Sequence, residues 1–572
     1  MSVAANTQVT PGRTNHEFNN NFAFAALKND GSVVTWGKAS EGGDSNLVTS
    51  ELINVNQIFC NQQAFAALKA DGSVVSWGNS DSGGDQSSIA FFLKDGVERI
   101  FSTTRAFAAL KTDGSVITWG HSDSGGDSSS VASSLNNDVI DIFSGRDSFA
   151  AIKSDGSVIT WGDSGDGGDS SSVAPSLNGG VNKIFSTGGA FAALKNDGSV
   201  ITWGYSDAAD SNDVSEVSEI YSTEEAFAAL KNDGSVISWG DSGAGGDQSL
   251  VASDLTSGIT QIFSTEKAFA ALKNDGSVVT WGNDTDGGNS SEVSSQIDSD
   301  VISISSTDGA FAALKRDGSV ITWGNSVYGG DSSSVADQIK SGISQVFSNE
   351  NAFAALTAEG SVITWGNSEY GGDSSSVTLS INSGVDYIYS TKRAFAALTK
   401  DGSIISWGHP DHGGNQSSVT TELNNEIAFL ANPFTNDWLN KKPTAIIFSS
   451  NNIMENIDSE SIIATLSSTD EDDGDTHTYA LVEGEGDTDN DVFSIDGSNL
   501  IINESPDYES QDSYSIRLQT TDSRDETYID VFTLSVNDLN ETPTNFSLST
   551  YSFNENITAG TSVATIYGVD ED

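Results

Sequence analysis

The side chains in this chain most able to do chemistry are carboxylates, and they gather toward its C-terminal end. Met454-Glu455-Asn456, Thr469-Asp470-Glu471-Asp472, Asp507-Tyr508-Glu509 and Asp538-Leu539-Asn540-Glu541 each set acids beside amides or hydroxyls, and Val569-Asp570-Glu571-Asp572 closes the chain. Calcium is a hard cation that takes roughly six to eight oxygens at about 2.3–2.6 Å, and carboxylates with amide or backbone carbonyls supply them. Carboxylates crowded together repel one another, so such a gathering points to a cation held between them.

Other candidate chemistry is thinner. Asp487, Asp489 and Asp491 read as a loop rather than a site, and Asp284-Thr285-Asp286-Gly287-Gly288-Asn289 reads as a turn, because it lacks the distant bidentate glutamate of a calcium loop. The five histidines (His16, His121, His409, His412 and His477) are scattered without zinc spacing, and His409 and His412 read as solvated residues of one turn. Serines abound, yet none sits in a nucleophile elbow, and no glycine loop opens a helix to cradle phosphate. Cys60 is the only cysteine, which excludes an intramolecular disulfide framework, and it reads as a small residue packed in a strand. No catalytic residues emerge.

The elements that would position these groups are short strands. With 572 residues the chain is too long for one core. Its net charge of −56, from 81 acidic and 25 basic side chains, repels nucleic acid and anionic membrane surfaces. Self-repulsion on that scale also calls for neutralisation, by divalent cations or by salt. No apolar run reaches the roughly 18 residues that a membrane span needs, and the first twenty residues lack the apolar core of a cleavable leader. The chain stops in mid-pattern, which suggests a truncated fragment from which a C-terminal export signal or further domains are missing.

Tryptophans expose a repeat. Trp36, Trp77, Trp119, Trp161, Trp203, Trp239, Trp281, Trp323, Trp365 and Trp407 recur every 42 residues or nearly so, with one shorter step from Trp203 to Trp239. Each unit carries an Ala-Phe-Ala-Ala-Leu-Lys run and a Ser-Val-Ile-Thr-Trp-Gly run joined by Asn-Asp-Gly, a strong hairpin signal. Both runs are apolar at nearly every position, so the sheet is buried on both faces, small alanines allowing close approach while Phe107 and Trp119 fill the gaps. A shorter strand precedes them, as at Ile184-Phe185-Ser186-Thr187. Gly-Gly-Asp-Ser-Ser-Ser-Val follows as a turn, and the spacing of Val131 with Leu135 and Val251 with Leu255 predicts one helical turn capped by Asp or Ser. The fixed place of the tryptophans at a strand end assigns them to packing rather than to sugar stacking.

Three short strands cannot bury both faces alone, so the units must stack. The first clear unit begins at its second strand, Phe22 to Lys28, whereas an extra first-strand segment, Glu426-Ile427-Ala428-Phe429-Leu430, follows the last. That arrangement closes a ring and removes its edges. Glu17-Phe18 is the counter-signal, a weak first strand of its own.

Ala-Phe-Ala-Ala-Leu-Lys, Asp-Gly-Ser-Val and Trp-Gly with a downstream Gly-Gly resemble the repeat of the regulator of chromosome condensation superfamily, and the short three-strand blades are most similar to its secreted bacterial branch. The resemblance implies a β-propeller acting as a binding platform. Members commonly have seven blades; ten copies leave open one ten-membered ring, a seven-plus-three split or two smaller rings. The nucleotide-exchange and chromatin roles of eukaryotic members are not carried over, since this chain is intensely acidic.

After Lys442-Pro443 the repeat ends and composition shifts to Asp, Glu, Ile and Thr. Ser513–Leu518 and Tyr528–Leu534 alternate with period two, as in a β-sandwich. The order Met454-Glu455-Asn456, Thr469-Asp470-Glu471-Asp472, Val492-Phe493-Ser494-Ile495-Asp496, Asp507-Tyr508-Glu509 and Asp538-Leu539-Asn540-Glu541-Thr542-Pro543 resembles a cadherin domain, and Phe553-Asn554-Glu555-Asn556 resembles the start of a second. By position, the resemblance implies calcium ligands at Glu455, Asp507, Glu509, Asp538, Asn540 and Glu541, joined by Asp570 and Asp572 of the next module; Glu541 stands where the family usually has aspartate. Asp470 and Asp472 lack the preceding cadherin domain that would complete their half-site.

The expected fold class is therefore all-β: a repeat-built β-propeller of ten short blades or a subset per ring (16–432), a linker (433–442), a cadherin-like β-sandwich (443–543) and the start of a second cadherin-like domain (544–572). The expected function is that of an extracellular or cell-surface calcium-binding adhesion protein, its propeller facing a protein or glycan ligand, with homophilic or cell-surface contacts and no nucleic-acid partner. A structural spacer without ligand is the alternative. A propeller hydrolase or lyase would need a central cluster of titratable groups at non-repeating positions, against which near-identical blades argue.

Overall fold

The computed structural model describes residues 20–205, 214–423, 427–430, 443–469, 477–484, 486–521, 527–539 and 545–569. They fall into two compact units, one within 7–435 and one within 436–572.

Ten three-stranded antiparallel sheets make up the first unit, among the described residues. Blade 3 is typical: Val97–Ser102, Ala106–Lys111 and Val116–Gly120, with Phe107 opposite Trp119 and Phe101 opposite Ala108. The Asp113-Gly114 turn joins the last two strands, and Gly114 has φ +77°, a left-handed conformation that a glycine adopts without a steric clash. First strands of successive blades lie side by side, so they are innermost.

Blades are wedded by a small-to-large fit. Ala64, Ala66 and Leu68 of blade 2 pack in one cluster with Phe107, Ala109 and Trp119 of blade 3, all buried. The Phe107 and Trp119 rings stack at 5.2 Å, and Trp119 Nε1–H donates to the Gly83 carbonyl of blade 2 at 3.0 Å, which satisfies the indole inside the core. Gly83 itself, at φ +90°, has room only for hydrogen, since a Cβ would lie 2.8 Å from the Phe107 ring. The next residue, Gly84, folds back onto the strand-end Gly78, whose carbonyl carbon would be 2.5 Å from a Cβ. These two close approaches explain the recurrent Gly-Gly.

Blade 1 is completed by Ile427–Leu430, whose Leu430 pairs with Ala26 and Ile427 with Lys28. Trp36 Nε1–H then donates to the Gly413 carbonyl of blade 10 at 2.9 Å, the same bond that links every typical pair of blades. The unit is one closed ring of ten blades. Glu17 and Phe18 lie outside the described residues.

Two expectations change here. The stretch after each Gly-Gly-Asp is a tight 3₁₀ turn or plain turn, such as Ser129–Val131, rather than α-helix. Its N-cap is Ser128, whose side chain makes no capping bond, while Asp127 one residue earlier accepts from Ser129 N–H at 2.9 Å; Leu135 and Leu255 are buried. His412, read as solvated, is buried: the ring joint seats it on Phe22, centroids 4.8 Å apart, with Nδ1 against the Asn21 carbonyl. Burial holds its pKa down to about 4, with the positive charges of Arg393 and Lys392 adding to the effect and the Asn21 contact opposing it. Cys60 is buried in Val55–Cys60, and burial pushes its thiol up to about 12.

The second unit contains a sandwich of two four-stranded sheets. One orders Ala445–Phe448, Ser461–Thr469, Asn499–Ile502 and Phe493–Asp496; the other orders Asn452–Met454, Thr527–Asn537, Ser513–Thr521 and Thr478–Leu481. Strand Ser513–Thr521 alternates strictly, with Tyr514, Ile516, Leu518 and Thr520 buried. Leu534 and Val536 point inward from Thr527–Asn537, while Ile529 and Val531 on the same strand are exposed. Beyond the sandwich, Asn545–Leu548 pairs with Ile566–Val569 in a two-stranded ladder.

Candidate metal centre

The site is built at one end of the sandwich by a parallel pairing. Asn452–Met454 runs alongside Ser535–Asn537, Met454 opposite Asn537, so Glu455 and Asp538 each leave the sheet one residue later. Asn456 takes a left-handed turn, φ +60°, and its N–H donates to the Pro506 carbonyl at 2.9 Å, which draws the Asp507-Tyr508-Glu509 segment in beside Glu455.

Glu455 is only 1% exposed, and both of its oxygens accept main-chain protons: Tyr508 N–H to Oε2 at 2.9 Å and Leu539 N–H to Oε1. The two amides hold this buried carboxylate in place and aim it. Around it, carboxylate oxygens of Glu455, Asp507 and Glu509 all lie within 4.8 Å of one another. Asp507 is held below its ordinary value, chiefly by Ser510, whose hydroxyl donates to Oδ2 at 2.7 Å. Glu509 is held above its ordinary value, first by desolvation and then by the Glu455 charge and a hydrogen bond with Asp507. The three carboxylates thus face one another across a space in which a divalent cation would replace their mutual repulsion with attraction.

Of the eight residues implied by the resemblance, Glu455, Asp507 and Glu509 come together. Asp538 is exposed and outside that trio, although its neighbour Leu539 bonds to Glu455. Asn540, Glu541, Asp570 and Asp572 lie outside the described residues, as do Asp470 and Asp472. Asp489 is a structural loop residue, accepting from Ser515 N–H at 2.6 Å and from Gln511 Nε2 at 3.0 Å. The motif Phe553-Asn554-Glu555-Asn556 repeats the backbone of the first, Asn556 being left-handed at φ +67°.

In the propeller, the turn at 284–286 is a 3₁₀ turn capped by Asn283. The blades are less uniform at their centres than their outer strands suggest. Third positions of the inner strands read Gln57, Arg99, Asp141, Lys183, Glu219 and Gln261. The charged ones pair across blades, Arg99 with Asp141 at 3.1 Å and Lys183 with Glu219 at 2.8 Å. Sequence reasoning missed these pairs, and their signal was the alternation of sign at 42- or 36-residue intervals.

No family model matches the chain, and no curated protein sequence matches it. Solved structures overlap it in part. The CRINKLY WD40 ectodomain of the Arabidopsis thaliana receptor kinase ACR4 is 15% identical, over 46% of this chain and 93% of that one, with a TM-score of 0.26. Prp20p from Saccharomyces cerevisiae is 15% identical, over 49% and 85%, with a TM-score of 0.27. Human protocadherin-24 EC1-2 is 20% identical, over 22% and 60%, with a TM-score of 0.19. Similarity at this level adds nothing to the function, and the propeller and cadherin-like arrangement rests on the strand pairings above. Among the described residues, no helix is long and apolar enough to cross a membrane.

Proposed function

We propose that the protein is an extracellular or cell-surface calcium-binding adhesion protein and not an enzyme: calcium stiffens the cadherin-like part, and the propeller serves as a platform for a protein or glycan partner. The observation that carries this reading is the convergence of Glu455, Asp507 and Glu509 within 4.8 Å. Three carboxylates at that separation repel one another unless protonated or bridged, and the Glu455 charge already helps to hold Glu509 above its ordinary value. Asp538 directly follows Asn537, the sheet partner of Met454, just as Glu455 follows Met454, and Asn540, Glu541, Asp570 and Asp572 would complete the six to eight oxygens that calcium takes.

The propeller side of the reading draws support from its architecture. A closed ring whose central charges are paired offers no free acid–base pair at its centre among the described residues, but it does offer loops whose side chains differ from blade to blade. The short three-strand blades further favour the secreted bacterial branch of the superfamily. Calorimetric titration of the full chain with calcium tests the metal claim. Binding is expected in the wild type and is expected to weaken at least tenfold in Glu509→Ala with Asp538→Ala. A chain that takes up no calcium at millimolar concentration overturns it.

A further inference from the structure

On one face of the ring the segments that enter the middle strands are tied blade to blade through their backbones: Glu224 N–H donates to the Glu266 carbonyl, Glu266 to Asp308 and Asp308 to Glu350, each at 2.9–3.0 Å. Next to this chain lies the third residue of the turn that follows the last strand of each blade, among the described residues. In most blades that residue is small or polar, such as Ser82, Ser124 and Ala244, but in blades 8 and 9 it is Tyr328 and Tyr370.

The two tyrosines occupy the same repeat position, and the residues that follow them in the next blade differ. Over Tyr370 lies the Arg393 guanidinium, 4.7 Å from the ring centroid, a cation–π contact made within the chain. Nearby, Lys392 pairs with Glu350 at 2.7 Å. At Tyr328 the position of Arg393 is taken by Asn351, a neutral side chain, and among the described residues no cation stacks on the Tyr328 ring. Gly309 packs closely between Asp286 and Tyr328, where a Cβ would lie 3.0 Å from Asp286 Oδ1 and 3.2 Å from Tyr328 Cδ2, so the Asp286 carboxylate stands beside the ring with no side chain between them. After burial, the charges of Asp308, Glu266 and Asp286 are what raise the Tyr328 phenol above its ordinary value. Lys267 offsets part of the Asp286 charge.

We propose that the Tyr328 face, bounded by Asp286 and Asp308 with Glu266 beyond them, receives an arginine side chain from a basic segment of a partner protein, in the way that Tyr370 receives Arg393 from its own chain. Charge complementarity selects the occupant: an aromatic face ringed by carboxylates attracts a guanidinium and discriminates against anions. This rests on the platform reading of the propeller and names the partner's chemistry.

The test is fluorescence anisotropy of the full chain with a labelled Gly-Arg-Gly-Arg-Gly-Arg-Gly peptide at low ionic strength, against a citrulline version of the same peptide. Binding of the arginine peptide alone is expected. Tyr328→Ser, which installs the residue that blades 2 and 3 carry, is expected to weaken it about tenfold, with an unchanged melting temperature as the check that losing the ring's packing on its core cluster has not disturbed the fold. Tyr328→Phe and Tyr370→Ser are expected to bind within about twofold of the wild type, the first because it keeps the ring face and the second because its ring is already occupied. Equal binding by Tyr328→Ser would show only the diffuse acidic field, and equal binding by the uncharged citrulline peptide would show that the guanidinium charge plays no part; either result overturns the proposal. So does a complete absence of arginine-peptide binding, which leaves the platform reading standing; that reading falls separately if protein and glycan arrays yield no ligand for the full chain.

Discussion

The propeller and the sandwich both carry many carboxylates and handle them in opposite ways. In the propeller, Asp113 accepts from Ser115 N–H at 2.9 Å and from Ser115 Oγ at 2.6 Å, and the same local cap recurs at Asp71, Asp197, Asp233, Asp275 and Asp317. Each is exposed, separate from its fellows and held below its ordinary value by its own serine, as at Asp113. In the sandwich, Glu455, Asp507 and Glu509 face one another. A large negative charge is therefore no metal signal in itself. Repulsion is dispersed where each acid caps its own turn, and it needs a counter-ion only where acids from separate segments converge.

The strongest way to break this comparison is to remove calcium and ask which unit responds. Differential scanning calorimetry of the full chain, in chelator against millimolar calcium, is expected to move a sandwich transition and leave the propeller transition in place. Calcium at a hundredfold excess over its dissociation constant contributes about 2.7 kcal/mol. A propeller transition that shifts by as much would erase the distinction.

A second test separates the units by acid. His412 has a folded pKa of about 4 against an ordinary 6.5, so the unfolded chain binds its proton first. The neutral imidazole thus contributes stability that is fully present above pH 6.5 and is lost as pH falls toward 4, on the order of 2 kcal/mol. Urea midpoints of the propeller are expected to fall through that window in the wild type and to stay flatter in His412→Ser, the residue that blades 2 and 3 carry at this position. Parallel curves for the two would remove His412 from the ring joint. Glu509 runs the opposite way in the metal-free chain: its raised pKa makes the sandwich lose stability as pH rises past about 4.5, and calcium is expected to reverse that loss.

What could be read in advance follows from how far each interaction reaches along the chain. The hairpins and the double-sided burial were legible because their causes lie within a few residues and recur ten times, and the closing strand because the first unit lacks a segment that the chain adds once after the last. The Gly-Gly pair was visible but unexplained, since the atom that forbids a Cβ at Gly83 belongs to Phe107 in the next blade. His412 was misread for the same reason, its cover being Asn21 and Phe22, which the sequence places at the other end of the ring. Ring size depends on the tilt each alanine–aromatic fit imposes, a quantity that no single unit displays. The carboxylate trio was found through the order of its motifs; its geometry depends on the parallel pairing of Met454 with Asn537, which period-two alternation does not reveal.

The smallest effect sharpens the contrast most. Asp113→Ala removes one turn cap and is expected to cost about 1 kcal/mol or less, by the same amount with calcium or with chelator, because the bonds it breaks are to Ser115 alone. Asp507→Ala removes a carboxylate that is equally exposed and equally bonded to a nearby serine. In chelator it is expected to be near neutral or slightly stabilising, as one repulsive partner of Glu455 and Glu509 is gone; in calcium it is expected to abolish most of the metal-induced rise in melting temperature. Two aspartates with matching local hydrogen bonds would then differ only in what faces them. If both variants respond to calcium alike, convergence is not what distinguishes the sandwich acids from those of the propeller.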